Sequence, residues 1–239
     1  SWIEELQVYP NAAVRSVRVA RRIGGTEAGS TVRLVAAAGE IGGTRGRAWP
    51  AVTAPVDRVS GRFESTIELG AAATLWDEFT PALHRLTATL PNGEERAVGF
   101  GLREIATQGS QFLINGRKLF VRGTLDCAGY PRTGHPPVDV AEWKRIIGVA
   151  KAHGLNLIRF HSWCPPEAAF VAADELGFYF HVEASTWPNQ STTLGDGKPI
   201  DAWLYAETDR ILRAYGNHPS FLLMAAGNEP GGKQHAAYL

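Results

Sequence analysis

A change of period along the chain is what most constrains its fold. Up to about residue 104, apolar and polar residues alternate in short runs, 3–9, 14–20, 31–36, 63–69 and 83–90. A two-residue period of this kind fits strands that bury one face. Gly42-Gly43, Pro50, Pro55 and Gly61 punctuate the runs, and Asn92-Gly93 is a two-residue hairpin signal. No helical period intervenes, so the segment reads as a β-sandwich of about 100 residues. Residues 37–62 are rich in Gly, Pro and Ala and give no strand pairing.

From residue 111 strands and helices alternate. A hairpin at 113–117 and an apolar strand at 119–121 lead in. The first helix has Asp139 as N-cap with Glu142 three residues on and stops at Gly154, and Trp143, Ile146, Ile147 and Ala150 share one of its faces. Strand 155–160 follows, then a helix opened by Pro165-Pro166 and closed by Gly177, then strand 178–183. After a loop of roughly 17 residues come a helix at 201–215, ended by Gly216, and a buried strand at 221–226.

The order β-α-β-α-β-α-β specifies a parallel sheet with right-handed crossovers. A doubly wound sheet would place a glycine-rich phosphate turn after an early strand, and Gly123-Thr124-Leu125-Asp126 is no such turn. A barrel is preferred. The expected architecture is multidomain, β plus α/β: a sandwich at 1–104, then an incomplete TIM (β/α)8 barrel of about four strands and three helices at 105–239.

Charge points away from polyanions. Lys plus Arg and Asp plus Glu both number 24 and are scattered, so neither nucleic acid nor an anionic membrane is an expected partner. No apolar run approaches the roughly 20 residues of a spanning helix. The start, Ser1-Trp2-Ile3-Glu4-Glu5, lacks the charged and apolar regions of a secretory signal. It reads as a strand, so the natural N-terminus is expected further upstream and the compartment stays open. Cys127 and Cys164 are too few for a disulfide scaffold, or for a zinc site without other ligands, and are read as structural thiols that remain reduced. No metal or cofactor is expected.

In a barrel, chemistry gathers where strands end at their C-termini. Those positions hold Asp126, His161, Glu183 and Asn228-Glu229, all polar.

Several segments carry a family resemblance. Trp76-Asp77 through Pro81, residues 83–90 and Gly99-Phe100-Gly101-Leu102-Arg103-Glu104-Ile105 resemble the end of the immunoglobulin-like domain of glycoside hydrolase family 2. Residues 112–123, then Asp209-Arg210, Gly216-Asn217-His218-Pro219-Ser220 and Gly227-Asn228-Glu229-Pro230, resemble that family's entry into its barrel, third helix and fourth strand. Trp2-Ile3-Glu4-Glu5-Leu6 resembles the first strand of the domain, so the likeness runs over essentially the whole chain.

The resemblance implies a retaining exo-β-glycosidase without cofactor, acting on terminal β-linked sugars, with Glu229 as acid/base and Asn228 bonded to the substrate 2-hydroxyl. It places the nucleophile on a later strand, beyond Leu239, so the isolated chain is expected to be inactive. Asp126, Arg159, His161, Trp163 and Glu183 are candidates to line the sugar pocket or to brace the strand ends, Trp163 by stacking on a sugar face. In the commoner family pattern His follows Arg by three residues, whereas here Arg159-Phe160-His161-Ser162-Trp163 shortens the step. A one-residue displacement along a strand turns a side chain to the other face, so the family role of that histidine does not transfer to His161. The expected partner is a carbohydrate, and a homo-oligomer of the parent enzyme is compatible with the sequence. Whether the sugar is a galactoside, glucuronide or mannoside is not encoded in these residues. The rival reading is a non-catalytic carbohydrate-binding or structural β-sandwich module, against which the Asn228-Glu229-Pro230 delivered by a barrel strand is the discriminating feature.

Overall fold

The computed structural model describes residues 1–26, 29–39, 46–188 and 193–238. The chain is mostly β-structure with one parallel sheet and few helices, in two compact units, Ser1–Leu119 and Phe120–Leu239.

The first unit holds two antiparallel sheets that share one core. Strands β1 (Trp2–Asn11), β2 (Ser16–Gly24) and β5 (Arg62–Glu68) form one sheet in the order β1-β2-β5. Strands β3 (Thr31–Ala38), β4 (Val52–Pro55), β6 (Leu83–Thr89) and β7 (Glu95–Gly101) form the other in the order β4-β3-β6-β7. Alternation decides which side chains meet: Val17 and Val19 of β2, Phe63 and Ile67 of β5, Val32 and Leu34 of β3, and Leu86 of β6 fall in the same buried cluster. Each such side chain contributes about 1.5–3 kcal/mol.

On β1 the buried residues Ile3, Leu6 and Val8 break the two-residue step, because an extra residue between Ile3 and Glu5 makes a bulge that returns Leu6 to the core face. The strand expected from residue 14 starts at Ser16, since Asn11 Oδ1 accepts from the Ala13 and Val14 amides and Arg15 is left-handed at φ 53°. The Asn92-Gly93 signal does join β6 to β7. Within the stretch given no pairing, β4 pairs with β3, and residues 40–45 lie outside the described ones. A third small sheet, β8 (Ile105–Gln108), β9 (Gln111–Ile114) and β10 (Arg117–Leu119), ends the unit.

One buried histidine makes the first unit sensitive to pH. His84 is 3% exposed, its ring lies 5.6 Å from Trp49 and 5.4 Å from Phe100, and its Nε2 donates to the Thr74 carbonyl at 3.0 Å. Its Nδ1 is buried with no hydrogen-bond partner. Burial holds the His84 pKa below its ordinary 6.5, and the Thr74 bond opposes this only in part. A lowered base pKa means that the unfolded chain takes up the proton first. The stabilisation is therefore complete above pH 6.5 and declines as pH falls below it toward the folded-state pKa. Thermal unfolding of the unit between about pH 7.5 and 5 is expected to show this slope, and His84→Gln to flatten it. An equal slope in the variant would assign the effect to other groups.

The second unit is built on a parallel sheet whose strands follow chain order, β11 (Gly123–Asp126), β12 (Leu157–Phe160), β13 (Tyr179–Glu183) and β14 (Phe221–Ala225). Helices α1 (Val140–Ala152), α2 (Glu167–Leu176) and α3 (Ile200–Tyr215) connect them. Asp139 caps α1 by accepting from the Glu142 amide, and Gly177 ends α2 in the left-handed conformation that glycine adopts without strain. Trp143 and Ile147 of α1, Phe170 of α2 and Ile211 of α3 pack with Ile158, Phe160, Phe180 and Val182. By alternation Leu157, Arg159, Tyr179, His181 and Glu183 occupy the opposite face of the sheet.

The first parallel strand departs from expectation. It is β11, not 119–121, because Asn156 holds the 120–122 segment by its side chain, accepting from Arg122 N at 2.7 Å and donating to the Phe120 carbonyl at 3.0 Å. At the start of β14 the buried Asp174 accepts from His218 Nδ1 at 2.6 Å and from the Ser220 amide at 3.0 Å, which ties the strand to α2.

Candidate active site

Three polar clusters lie where the parallel strands end. In the first, Arg159 Nε and Nη2 both reach Glu183 Oε1 at 2.6 Å, and Nη2 donates to Asn228 Oδ1 at 2.8 Å. Glu183 Oε2 accepts from the Ser162 amide at 2.8 Å. Glu183 is only 1% exposed, and having both oxygens paired is what makes such a buried carboxylate tolerable. A guanidinium only donates, so it fixes the Asn228 carbonyl oxygen toward itself and leaves the amide nitrogen as the donating end. His181, paired in register with Arg159, has its pKa lowered by burial, which outweighs the attraction of Glu183.

The second cluster surrounds Glu229. Its Oε2 accepts from Trp187 Nε1 at 2.9 Å, and the Trp187 ring meets the His161 ring edge-to-face at 4.7 Å and 74°. His161 Nδ1 lies 3.2 Å from Ser162 Oγ.

The third braces the loop after β11. Asp126 Oδ1 accepts from Ala128 N and Oδ2 from the Tyr130 hydroxyl, both at 2.7 Å, while its carbonyl accepts from Trp163 Nε1 at 3.0 Å and His161 N at 2.9 Å. Burial, followed by the Asp126 carboxylate, pushes the Tyr130 hydroxyl well above its usual pKa and keeps it a donor. In this arrangement Asp126 and Trp163 hold the loop.

Backbone strain concentrates at the same end of the sheet. Among the described residues of this unit, the non-glycine positions with left-handed φ are Ala128 (56°), Ser162 (61°) and Glu229 (46°), each just beyond the C-terminus of a strand. Gly227, two residues before Glu229, has φ 123°, and a Cβ there would stand 2.3 Å from the Thr186 carbonyl oxygen. Only glycine lets the turn come close enough for Asn228 N to donate to that oxygen at 3.0 Å.

A cavity of about 420 Å³ lies to one side, lined by Pro136, Trp163, Cys164, Pro166, Glu207 and Tyr215 among others. Of the candidate residues only Trp163 lines it, so the chemistry is read from the strand ends. Burial, helped by Glu207, pushes the Cys164 thiol up to about 12 and leaves it a poor nucleophile. Cys127 and Cys164 are both free thiols. No group of three or more His, Cys, Asp or Glu among the described residues is placed to hold a metal ion.

No family model matches the chain. Curated relatives do. β-Galactosidase 2 of Enterobacter cloacae is 30% identical over 172 residues, covering 68% of this chain and 17% of the relative. The β-galactosidase of Aeromonas hydrophila subsp. hydrophila is 30% identical over 185 residues, covering 74% and 18%. A solved glycosyl hydrolase family 2 member from Bacteroides cellulosilyticus matches 98% of this chain at a TM-score of 0.74 with 21% identity, over 31% of its own length. The chain belongs to glycoside hydrolase family 2. The β-glucuronidase of Parabacteroides merdae shares its fold, with a TM-score of 0.73 at 18% identity over 98% of this chain and 31% of that one. The chain spans less than a fifth of the length of its curated β-galactosidase relatives.

Trp187, Ser162, Tyr130 and His181 escaped the sequence reading. Trp187 sits in the loop after β13, and no period marks its contact with a residue 42 positions away. The Trp187-Pro188 pair, an aromatic placed just past a barrel-type strand, was the available signal. His181 was legible from the alternation of β13, which sets it on the face of Tyr179 and Glu183.

Proposed function

We propose that this chain is the immunoglobulin-like sandwich (1–104) and the first four strands and three helices of the TIM-barrel domain (from 105) of a retaining exo-β-glycosidase. The small β8–β10 sheet is the lead-in. Glu229 is the acid/base residue. One observation carries the reading: Asn228 and Glu229 follow a parallel strand, Glu229 in left-handed backbone, with the Asn228 amide oriented by Arg159 and the Glu229 carboxylate accepting from Trp187.

A retaining glycosidase needs two carboxyl groups about 5 Å apart, one to protonate the leaving oxygen and one to attack the anomeric carbon. Glu229 donates the proton as the glycosidic bond breaks and then takes a proton from the water that releases the sugar. Asn228 donates its amide N–H to the 2-hydroxyl, a bond that strengthens as the ring approaches the oxocarbenium-like transition state. Arg159 and Glu183 hold that amide in place. Glu183 is too enclosed and too fully paired to attack an anomeric carbon. The nucleophile is expected on a later strand of a longer protein.

The test compares this chain with a protein extended to the length of its β-galactosidase relatives, on aryl β-galactoside, β-glucuronide and β-mannoside. The extended protein is expected to turn over at least one of them and this chain none. Comparable turnover by this chain would place the nucleophile within it and overturn the assignment of roles.

A further inference from the structure

Three segments of the second unit enclose the cavity of about 420 Å³ that lies to one side of the strand ends. The loop after β11 supplies His135 and Pro136, the turn into α2 supplies Trp163 to Pro166, and α3 supplies Glu207, Ile211 and Tyr215. Positions 207, 211 and 215 recur every fourth residue, so they form one stripe along the helix. A volume of this order falls within the range of small-molecule pockets.

The wall is largely apolar and short of donors. Pro136, Pro165 and Pro166 bring no N–H. The Trp163 indole N–H is committed to the Asp126 carbonyl at 3.0 Å, and its ring is held edge-to-face by Phe160 at 5.1 Å. What Trp163 offers the cavity is therefore ring surface. His135 Nδ1 lies 2.7 Å from the Pro136 carbonyl. Burial, and after it Cys164, Glu167 and Glu207, push the Tyr215 hydroxyl above its usual pKa, so it stays neutral, as the Cys164 thiol does. Glu207 brings negative charge to this wall, with its side chain 27% exposed. Among the described residues, no Lys or Arg lines the cavity. Arg210, three residues along α3, pairs with Glu207, but its side chain is 61% exposed and a surface pair of this kind contributes little.

We propose that this cavity binds a small organic cation, an aryl or alkyl ammonium whose charge meets Glu207 and whose apolar body lies against Trp163 and the prolines. The chemistry of the wall selects this class. An anion would face a partly desolvated carboxylate, and a neutral sugar would turn hydroxyl groups toward prolines that cannot donate to them. An ammonium group only donates, pairs with a carboxylate and is attracted to the face of an indole. Nothing in this site depends on the role of Glu229.

The experiment titrates the extended protein with benzylammonium and, separately, with its neutral isostere benzyl alcohol, each followed by saturation-transfer NMR. Benzylammonium is expected to bind with a Kd on the order of 1 mM, as suits a ligand of its size, and benzyl alcohol at least about 5-fold more weakly. Glu207→Gln keeps the side-chain volume and should remove that preference, with benzyl alcohol binding retained within about 2-fold as the sign of an intact cavity. Arg210→Ala takes away the competing cation and should tighten benzylammonium by about 2-fold. Equal affinity for the two probes in the parent, a preference that survives Glu207→Gln, or no binding of benzylammonium would overturn the proposal. If Glu207→Gln loses both probes, Arg210→Ala decides, and unchanged or weaker benzylammonium binding there overturns it. Methyl β-galactoside is the third probe. Its binding in place of benzylammonium, abolished by Glu207→Gln, would assign the cavity to a sugar and sink the cation.

Discussion

In the extended protein, Glu229→Gln is expected to reduce turnover of alkyl or sugar aglycones by on the order of 100-fold or more, and turnover of activated aryl glycosides far less. The distinction follows from where the barrier lies. An alkoxide leaves poorly unless protonated as the bond breaks, whereas a nitrophenolate leaves without help. Gln keeps the volume and an oxygen to accept the Trp187 N–H, so the 2.9 Å contact that shapes the turn is retained while the transferable proton is removed. With activated substrates the second step should become limiting, because no base then deprotonates the incoming water. The checking measurement is kcat and kcat/KM across a leaving-group series. A uniform loss along it would remove Glu229 from the role.

Arg159→Met is expected to destabilise the second unit by about 3–5 kcal/mol. Its guanidinium is the cationic partner of Glu183, which is 1% exposed, and it also occupies the Asn228 carbonyl oxygen. Methionine fills much of the same space but leaves a charge buried beside an orphaned amide oxygen. The cost arises from desolvation without compensation, so it should shrink when the charge is removed as well. Arg159→Met with Glu183→Gln is expected to recover a large part of the loss, since Gln can still accept from the Ser162 amide. Denaturant unfolding of the four proteins closes the cycle. Additive losses would show that Arg159 and Glu183 stabilise the unit independently.

Local signals carried the secondary structure well. Asp139 and Glu142 mark the start of α1, Gly177 the end of α2, and Asn92-Gly93 the β6–β7 turn, because each acts within a few residues of itself. Features that depend on distant partners were not legible. The bulge in β1 is defined only against β2, and the start of β11 only by an asparagine 34 residues later. The candidate site shows the same division. Strand ends point to Asp126, His161, Glu183, Asn228 and Glu229 and the family resemblance to Arg159, each as a single residue, but which of them touch is set by hydrogen bonds spanning 24, 42 and 69 positions. Sequence spacing also left His161 ambiguous. It lies beyond β12, where strand parity no longer dictates direction, and its ring meets Trp187.

Chemical rescue of Glu229→Ala in the extended protein tests the assignment of Glu229 most directly. With an activated aryl β-glycoside the first step needs no proton, so a covalent glycosyl-enzyme should accumulate, and its hydrolysis should be slow for want of a base. Azide needs no base to attack. Added azide is expected to raise turnover by about 10-fold or more and to give the β-glycosyl azide, with configuration retained through two displacements. No acceleration by azide, or an α-glycosyl azide as product, would contradict Glu229 as the acid/base of a retaining glycosidase.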